Sequence, residues 1–180
     1  MDLETEQRQI RKQSKLAFCL CAAISIGCAV FLPKFIPFPT EVGAGLAFAI
    51  QTSAVHFAVV VVAVRLVSSG RYRSAADIGG AAKGPPSPEL AIKIAFLQNT
   101  LEQAFLGVGA HLTLASIAGG RWLALLIASD VLFVIGRLSF YRCYSDGAGA
   151  RAFGMATTAL AALICYLAAG TLLIGRLFGG

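Results

Sequence analysis

The sequence predicts an all-α integral membrane protein, an antiparallel four-helix transmembrane bundle plus one extra N-terminal transmembrane helix. Hydrophobic residues make up 57% of its 180 residues and charged residues only 13%, about half the charged share of a soluble domain. The mean hydropathy is +0.76. The apolar residues also fall into runs of about 20 residues or more, long enough to cross a hydrocarbon core about 30 Å thick. Lipid rather than water therefore faces most of the surface.

The N-terminal part is expected to be separate from the rest. Residues 1–15 are polar and charged and are interpreted as a cytoplasmic tail. Residues 16–40 are predicted to form the extra helix, which the apolar stretch 16–33 is long enough to build. A signal peptide would need a small-x-small cleavage site before a polar mature segment. That pattern is not clear here, so an uncleaved spanning helix is favoured.

Residues 41–180 are predicted to form the four-helix membrane domain. The second helix of this domain, which is the third of the chain, has the clearest boundary signals. Ser87 is a good N-cap, Pro88 suits the first helical position, and the negative charge of Glu89 interacts favourably with the helix dipole. Gly119 and Gly120 are expected to end that helix. The apolar pattern gives the four helices of this domain as 42–67, 88–118, 122–144 and 151–175.

Lysine and arginine positions predict the orientation, because cytoplasmic segments carry an excess of both. With the N-terminus inside, only three of the 15 basic residues fall on the far side, namely Lys34, Arg121 and Arg176. The other 12 lie in cytoplasmic segments or helix ends. The net charge of +6 is thus explained by membrane topology, and a nucleic-acid partner is not expected, because the basic residues form no single patch.

Polar residues on four helices are predicted to meet near the cytoplasmic boundary. At 1.5 Å per residue, Glu102 lies roughly 25 Å from the outer end of its helix and Arg137 roughly 22 Å from the outer end of the next. Ionisable groups inside a membrane are expensive and usually functional. A small anionic ligand entering from the cytoplasm would meet the following candidate residues: Arg65, Asn99, Glu102, Arg137, Tyr144 and Arg151.

Simpler roles are open to several of these groups. Glu102 and Arg137 are equally well interpreted as a structural ion pair that sets the register of two helices. Asp130 is expected to make a buried interhelical hydrogen bond, with proton transfer as the alternative. His56 and His111 are isolated in the sequence, so no metal site is predicted.

The segment 97–103, Leu-Gln-Asn-Thr-Leu-Glu-Gln, resembles the MAPEG superfamily, the membrane-associated proteins of eicosanoid and glutathione metabolism. That family carries Asn-x-x-Glu at this place. It then has an arginine, an aromatic residue or histidine three positions later, a tyrosine four after that and often an arginine seven further on. In this sequence these positions are Arg137, Phe140, Tyr144 and Arg151. The chain is therefore similar to a bacterial-type member with an added N-terminal helix.

Two other positions fit the resemblance, and two depart from it. Arg65 matches an arginine at the cytoplasmic end of the family's first helix, and Asp77 resembles an acidic residue of the following loop. Ala95 and Gln98 occupy places where the family often has basic residues.

The resemblance implies a homotrimer that binds glutathione between subunits near the cytoplasmic face. It assigns glutathione binding to five residues, Arg65, Asn99, Glu102, Arg137 and Tyr144. Arg151, together with Tyr144, would be catalytic, since Arg151 matches an arginine that activates the thiol. A guanidinium beside a thiol lowers the thiol pKa from about 8.5 and so favours the reactive thiolate.

The predicted function is that of a glutathione-dependent membrane enzyme, of transferase or peroxidase type. Glutathione would be a cosubstrate, an arginine would stabilise its thiolate, and lipophilic electrophiles or lipids would be the other partners. The alternative is a non-enzymatic lipid-binding or scaffolding trimer of the same fold. A small transporter is less favoured, because no duplicated or broken-helix pattern stands out.

Overall fold

The computed structural model describes residues 2–178, and this part of the chain is helical and contains no strand. We number six helices in chain order: α1 (Leu3–Phe31), α2 (Val42–Thr52), α3 (Ala54–Tyr72), α4 (Pro88–Ile117), α5 (Ala124–Arg142) and α6 (Ala148–Phe178). Short 3₁₀ turns connect several of them. The predicted fold class, an all-α membrane bundle with an added N-terminal helix, is confirmed.

Helix α1 begins at Leu3, so the charged segment predicted as a tail is the first half of the helix. Its apolar half packs against α6 and α5. The buried face consists of Ala17, Cys21 and Ser25, small side chains that let two helices approach closely. The Cys21 thiol lies 3.5 Å from the Thr157 carbonyl of α6. The extra helix is thus part of the packed bundle.

The predicted second helix is divided at Ser53 into α2 and α3. The Ser53 hydroxyl donates to the Ala49 carbonyl at 2.7 Å, a back-bond to the preceding turn that often bends helices. Ser53 is buried against α4, where its oxygen lies 3.2 Å from Nδ1 of His111. A buried polar contact therefore coincides with the bend.

Helix α4 begins as its sequence predicts. The Ser87 hydroxyl accepts from the Leu90 amide at 3.3 Å, and Pro88 is the first helical residue. Its 30 residues span about 45 Å at 1.5 Å per residue. It packs against α2, α3 and α6, and it buries Ala110 and Leu114 in the main core with residues of α5 and α6.

Helices α5 and α6 cross closely where Gly136 faces Gly154. A Cβ placed at Gly154 would lie 2.5 Å from the Gly136 carbonyl oxygen and 2.5 Å from the Phe140 amide nitrogen. Only glycine permits this separation without a shift of one helix, because the obstructing atoms are backbone. The crossing holds together the two helices that supply Arg137 and Arg151, and Tyr144 lies in the short turn between them.

Four helical stretches are long and apolar enough to cross a membrane, and they are Leu3–Lys34, Val42–Tyr72, Gly120–Arg142 and Ala148–Phe178. Helix α4 is not among them, since the polar residues 98–103 lower its hydropathy, although it lies within the bundle. Large apolar side chains also face outward, including Phe57 at 56% exposure and Phe105 at 80%. The protein is therefore an integral, multi-pass membrane protein.

Candidate functional site

Arg137 of α5 lies at the centre of the candidate site. Its side chain is one of the largest that is fully buried, with 1% of its surface exposed. Nη1 donates to Asn99 Oδ1 of α4 at 2.6 Å, and Nη2 donates to Thr158 Oγ1 of α6 at 2.7 Å. Nη2 also lies 3.4 Å from the Gly154 carbonyl. The guanidinium thus joins three helices and keeps its charge among neutral acceptors.

The predicted ion pair between Glu102 and Arg137 does not form within the described chain. Glu102 lies on an exposed face of α4, where Gln98 Nε2 donates to its carboxylate at 3.4 Å. Asn99, three residues earlier, faces inward instead and takes the place expected for the acid. The prediction was wrong because residues i and i+3 differ by about 60° around a helix, enough to turn one inward and the other outward.

A stack of four side chains, two aromatic rings between two arginines, runs from Arg137 to the start of α6. The Arg137 guanidinium lies 4.8 Å from the centre of the Phe140 ring. That ring meets Tyr144 edge to face at 5.4 Å, and Arg151 lies over Tyr144 at 4.6 Å. Cation–π contacts of this kind fix the orientation of a guanidinium without neutralising its charge. The four residues that the family resemblance singles out between α5 and α6 therefore contact one another in sequence, each one touching the next.

Arg65 and Glu102 lie apart from this stack. Both side chains are exposed, Arg65 on α3 and Glu102 on α4. Neither contributes to an ion pair within the described chain. Glu102 stands beside the exposed apolar side chains Leu101 and Phe105. Of the predicted binding residues, Asn99, Arg137 and Tyr144 are thus brought together, while these two face outward from a single subunit.

Asp77 has a structural place in the loop before α4. Its carboxylate accepts from the Ser87 amide at 2.8 Å and from the Ser87 hydroxyl at 2.7 Å. Ser87 is itself the N-cap of α4, so the acid anchors the loop to the helix start. Hydrogen bonds from Ser74 and Ser87 favour the charged form and lower the pKa of Asp77.

An apolar cleft of about 350 Å³ opens beside Arg137, between α3 and α5. Val59, Val62 and Leu66 form one wall, and Leu138 and Tyr141 contribute to the other. Arg137 is its only charged lining residue. The cleft suits an apolar group that reaches the buried guanidinium from the side of the bundle.

The model of the MAPEG family matches residues 43–171, from the second residue of α2 through α5 and most of α6. The chain belongs to the MAPEG family. The match begins beyond α1, so the extra helix of this MAPEG protein lies outside the matched region. No curated protein and no solved structure shows significant similarity to the chain. Membership supports a general connection of this MAPEG protein with glutathione or eicosanoid metabolism in a membrane.

Two groups of polar residues in this MAPEG protein are not evident from its sequence. Thr158 belongs to no motif, although it lies seven residues after Arg151 and hence on nearly the same face of α6. The second group brings His56, His111 and Asp130 together from three helices. Their wide separation in the sequence offers no local spacing from which such a cluster is recognised.

Proposed function

We propose that this MAPEG protein is a glutathione-dependent membrane enzyme of transferase or peroxidase type that acts on lipophilic electrophiles. The observation that carries the proposal is the contact between Arg151 and Tyr144 at the end of the stack that begins at buried Arg137. It gives a cation and a phenol a defined arrangement at the start of α6. Both side chains are only half-buried, so a thiol has access to them.

The chemistry requires a thiolate near a cation. A thiol of pKa about 8.5 is mostly protonated at neutral pH, and a nearby guanidinium lowers that value. Lowering the thiol pKa from about 8.5 to about 7.5 corresponds to about 1.36 kcal/mol in favour of the thiolate. Arg151 supplies this charge, and the Tyr144 hydroxyl donates a hydrogen bond to the thiolate sulfur. Asn99 and Arg137 bind polar groups of the same ligand.

In the transferase reaction the thiolate sulfur attacks an electrophilic carbon, and the carbon–leaving-group bond breaks as the carbon–sulfur bond forms. The thiol proton goes to solvent and the leaving group departs with its electron pair. In the peroxidase reaction two glutathione molecules are oxidised to the disulfide, while a hydroperoxide is reduced to an alcohol and water. The apolar cleft beside Arg137 is the proposed place for the apolar part of either substrate.

The outward positions of Arg65 and Glu102 support assembly as a homotrimer. A carboxylate beside Leu101 and Phe105 on a lipid-facing surface is unfavourable, whereas a neighbouring subunit would cover it. In that arrangement Arg65 and Glu102 complete the glutathione site across the subunit boundary. The distribution of basic residues favours a cytoplasmic location for the N-terminus and for this site.

Glutathione binding in nanodiscs tests the proposal. We expect saturable binding to the wild type, at least tenfold weaker binding to Arg151→Ala, and unchanged binding to Arg142→Ala, an exposed arginine near the end of α5. With an aryl halide or a lipid hydroperoxide, the Arg151 variant should also consume glutathione about tenfold more slowly at neutral pH. The absence of saturable binding to the wild type would disprove the glutathione assignment.

A non-enzymatic scaffolding trimer is the second candidate, and one observation favours it. Arg137 donates its terminal NH groups to Asn99, Thr158 and the Gly154 carbonyl within one subunit, as a purely structural arginine would. On this interpretation Arg151→Ala and Tyr144→Phe leave the biological phenotype intact, and Glu102→Ala dissociates the oligomer. Thiol turnover that depends on Arg151 would exclude it.

A further inference from the structure

A second polar cluster lies deeper in the bundle and takes one side chain from each of three helices. His56 of α3, His111 of α4 and Asp130 of α5 place one potential ligand atom each within 4.8 Å of one another. Both histidines have no exposed surface, and Asp130 is 7% exposed. The chain contains only two histidines, and both are in this cluster. It contains none of the residues proposed for glutathione.

The cluster holds most of the buried polar side-chain atoms that lack a hydrogen-bond partner within residues 2–178. Of the seven buried side-chain nitrogen and oxygen atoms without a hydrogen-bond partner in the described residues, four belong to it. They are both ring nitrogens of His56, Nε2 of His111 and Oδ1 of Asp130. His56 Nδ1 lies only 3.2 Å from Asp130 Oδ1, but the two atoms are not aligned well enough to form a hydrogen bond. Buried polar atoms almost always have a partner, so this concentration indicates a missing ligand.

Ser53 determines which nitrogen of His111 is available. The Ser53 hydroxyl donates its hydrogen to the Ala49 carbonyl at 2.7 Å. Its oxygen, 3.2 Å from His111 Nδ1, therefore accepts a hydrogen from that nitrogen. Nδ1 then carries the proton, and Nε2 presents a free lone pair within the cluster. Histidines that bind metals are commonly oriented in this way, by a hydrogen bond from the other ring nitrogen.

We propose that His56, His111 and Asp130 bind a divalent first-row transition metal ion in the centre of the bundle. Two imidazoles and one carboxylate form a donor set typical of zinc with one open position, or of non-haem iron. Metal–nitrogen bonds of about 2.0–2.1 Å separate tetrahedral ligand atoms by about 3.3–3.4 Å. The cluster, at 4.8 Å or less, needs to contract by about 1.4 Å at most.

The surroundings hold the ligands in position. The Phe133 ring lies 4.1 Å from the ring of His56 and is itself buried. A Cβ at Gly107 would collide with His56 Nε2, so glycine is needed there for the ring to lie against α4. Asp130 precedes Arg137 by seven residues, about 10 Å along α5. The metal site is therefore separate from the glutathione site. It connects α3, α4 and α5 at a level nearer the N-terminal end of α5.

Metal binding is tested on the full chain purified through a tag without histidine. After dialysis with Zn²⁺ or Co²⁺ and removal of excess ion, we expect about one ion per subunit by mass spectrometry, and a Co²⁺ spectrum without sulfur charge-transfer bands. Asp130→Asn and His111→Gln should each lose the ion. Asp146→Asn, an exposed acid, and Cys143→Ser should both keep it.

Two further variants keep the test decisive if a ligand substitution prevents folding. Ser53→Ala keeps all three ligands but removes the hydrogen bond to His111, together with the back-bond to the Ala49 carbonyl. It should weaken metal affinity about 10–100-fold. Gly107→Ala retains all three ligands but displaces His56, and should also weaken binding. The ion should raise the unfolding temperature of the wild type and not that of Asp130→Asn. The proposal fails if the wild type binds no ion, because water or a shared proton then fills the cluster, or if binding survives His111→Gln.

Discussion

Arg137 Nη1 lies 2.6 Å from Asn99 Oδ1, so the buried guanidinium of α5 is held by an amide of α4 and not by the nearby acid Glu102. This contact keeps the positive charge of Arg137 uncompensated inside the membrane domain. A neutral partner orients the cation and leaves its field available to an anionic ligand, whereas a carboxylate would cancel most of it. Substitution of Asn99 tests how much this contact contributes to stability.

Asn99→Ala should destabilise the protein. It leaves Nη1 of a fully buried cation without its acceptor, which costs about 1–3 kcal/mol in the free energy of unfolding. Gln98→Ala is the matched control, since Gln98 lies beside it on an exposed face and should change stability little. Unfolding followed by circular dichroism in detergent measures both. Equal stability of the two variants would contradict a supporting role for Asn99.

The pH dependence of turnover should report on Arg151. Removal of the guanidinium in Arg151→Ala raises the pKa of the bound thiol toward about 8.5. At a given pH less thiolate is then present, so the rising limb of kcat/KM against pH moves to higher pH, by about one pH unit for each 1.36 kcal/mol lost. Arg142→Ala should keep the wild-type profile. A uniform fall in rate without a displaced profile would assign Arg151 to binding alone.

The membrane character, the start of α4 and the family were predictable from sequence because each depends on a long or local pattern, whereas the division of the second predicted helix at Ser53 was not. Apolar runs, the Ser87-Pro88 start of α4 and the spacing from Arg137 to Arg151 are all local signals. The family match over residues 43–171 then confirmed the resemblance. The assignment of individual residues to glutathione stays a prediction.

The side-chain partners were not predictable, because they depend on how helices are rotated against one another. Glu102 and Asn99 lie within one turn of each other on α4, and only helix packing shows that Asn99 faces Arg137. The bend at Ser53 and its contact with His111 similarly need three-dimensional information. Thr158 becomes relevant only once α5 and α6 cross at Gly136.

The close crossing of α5 and α6 at Gly136 and Gly154 can be tested by a substitution that has a matched control on α6. Gly154→Ala places a Cβ against backbone atoms of α5 at 2.5 Å and should force α5 and α6 apart. Overpacking of this kind typically costs about 1–3 kcal/mol. Gly170→Ala, also in α6 with nothing within 4 Å of the added atom, should be neutral or stabilising by about 0.5–1 kcal/mol. Comparable stability of the two variants in a detergent unfolding assay would refute the close crossing.

The loop before α4 should open at acidic pH through Asp77. Its lowered pKa in the folded state means that the contribution of Asp77 to stability is present above its unfolded value of about 3.9 and is lost as pH falls through the folded pKa. Proteolysis of this loop by an acid-active protease should therefore increase on acidification. In Asp77→Asn the cleavage should be faster at the upper end of that protease's pH range and should depend less on pH. An unaltered cleavage profile would show that the Ser87 contacts do not anchor the loop.

The N-terminal helix should be held to the domain by Glu6. Its carboxylate accepts from the Gly149 amide at 2.6 Å, and Gly149 belongs to the first turn of α6. An acid at a helix N-terminus contributes roughly 0.3–1 kcal/mol through the exposed amides and the helix dipole. Glu6→Ala should therefore speed hydrogen exchange in the first turns of α1 and α6, while Glu4→Ala, an exposed acid two residues earlier, should not. Since α6 begins only three residues before Arg151, loss of this contact should also reduce glutathione turnover. The membrane-spanning parts of α1 and α6 should stay protected from hydrogen exchange. Unchanged exchange in Glu6→Ala would mean that packing of Ala17 and Cys21 alone holds α1 in place.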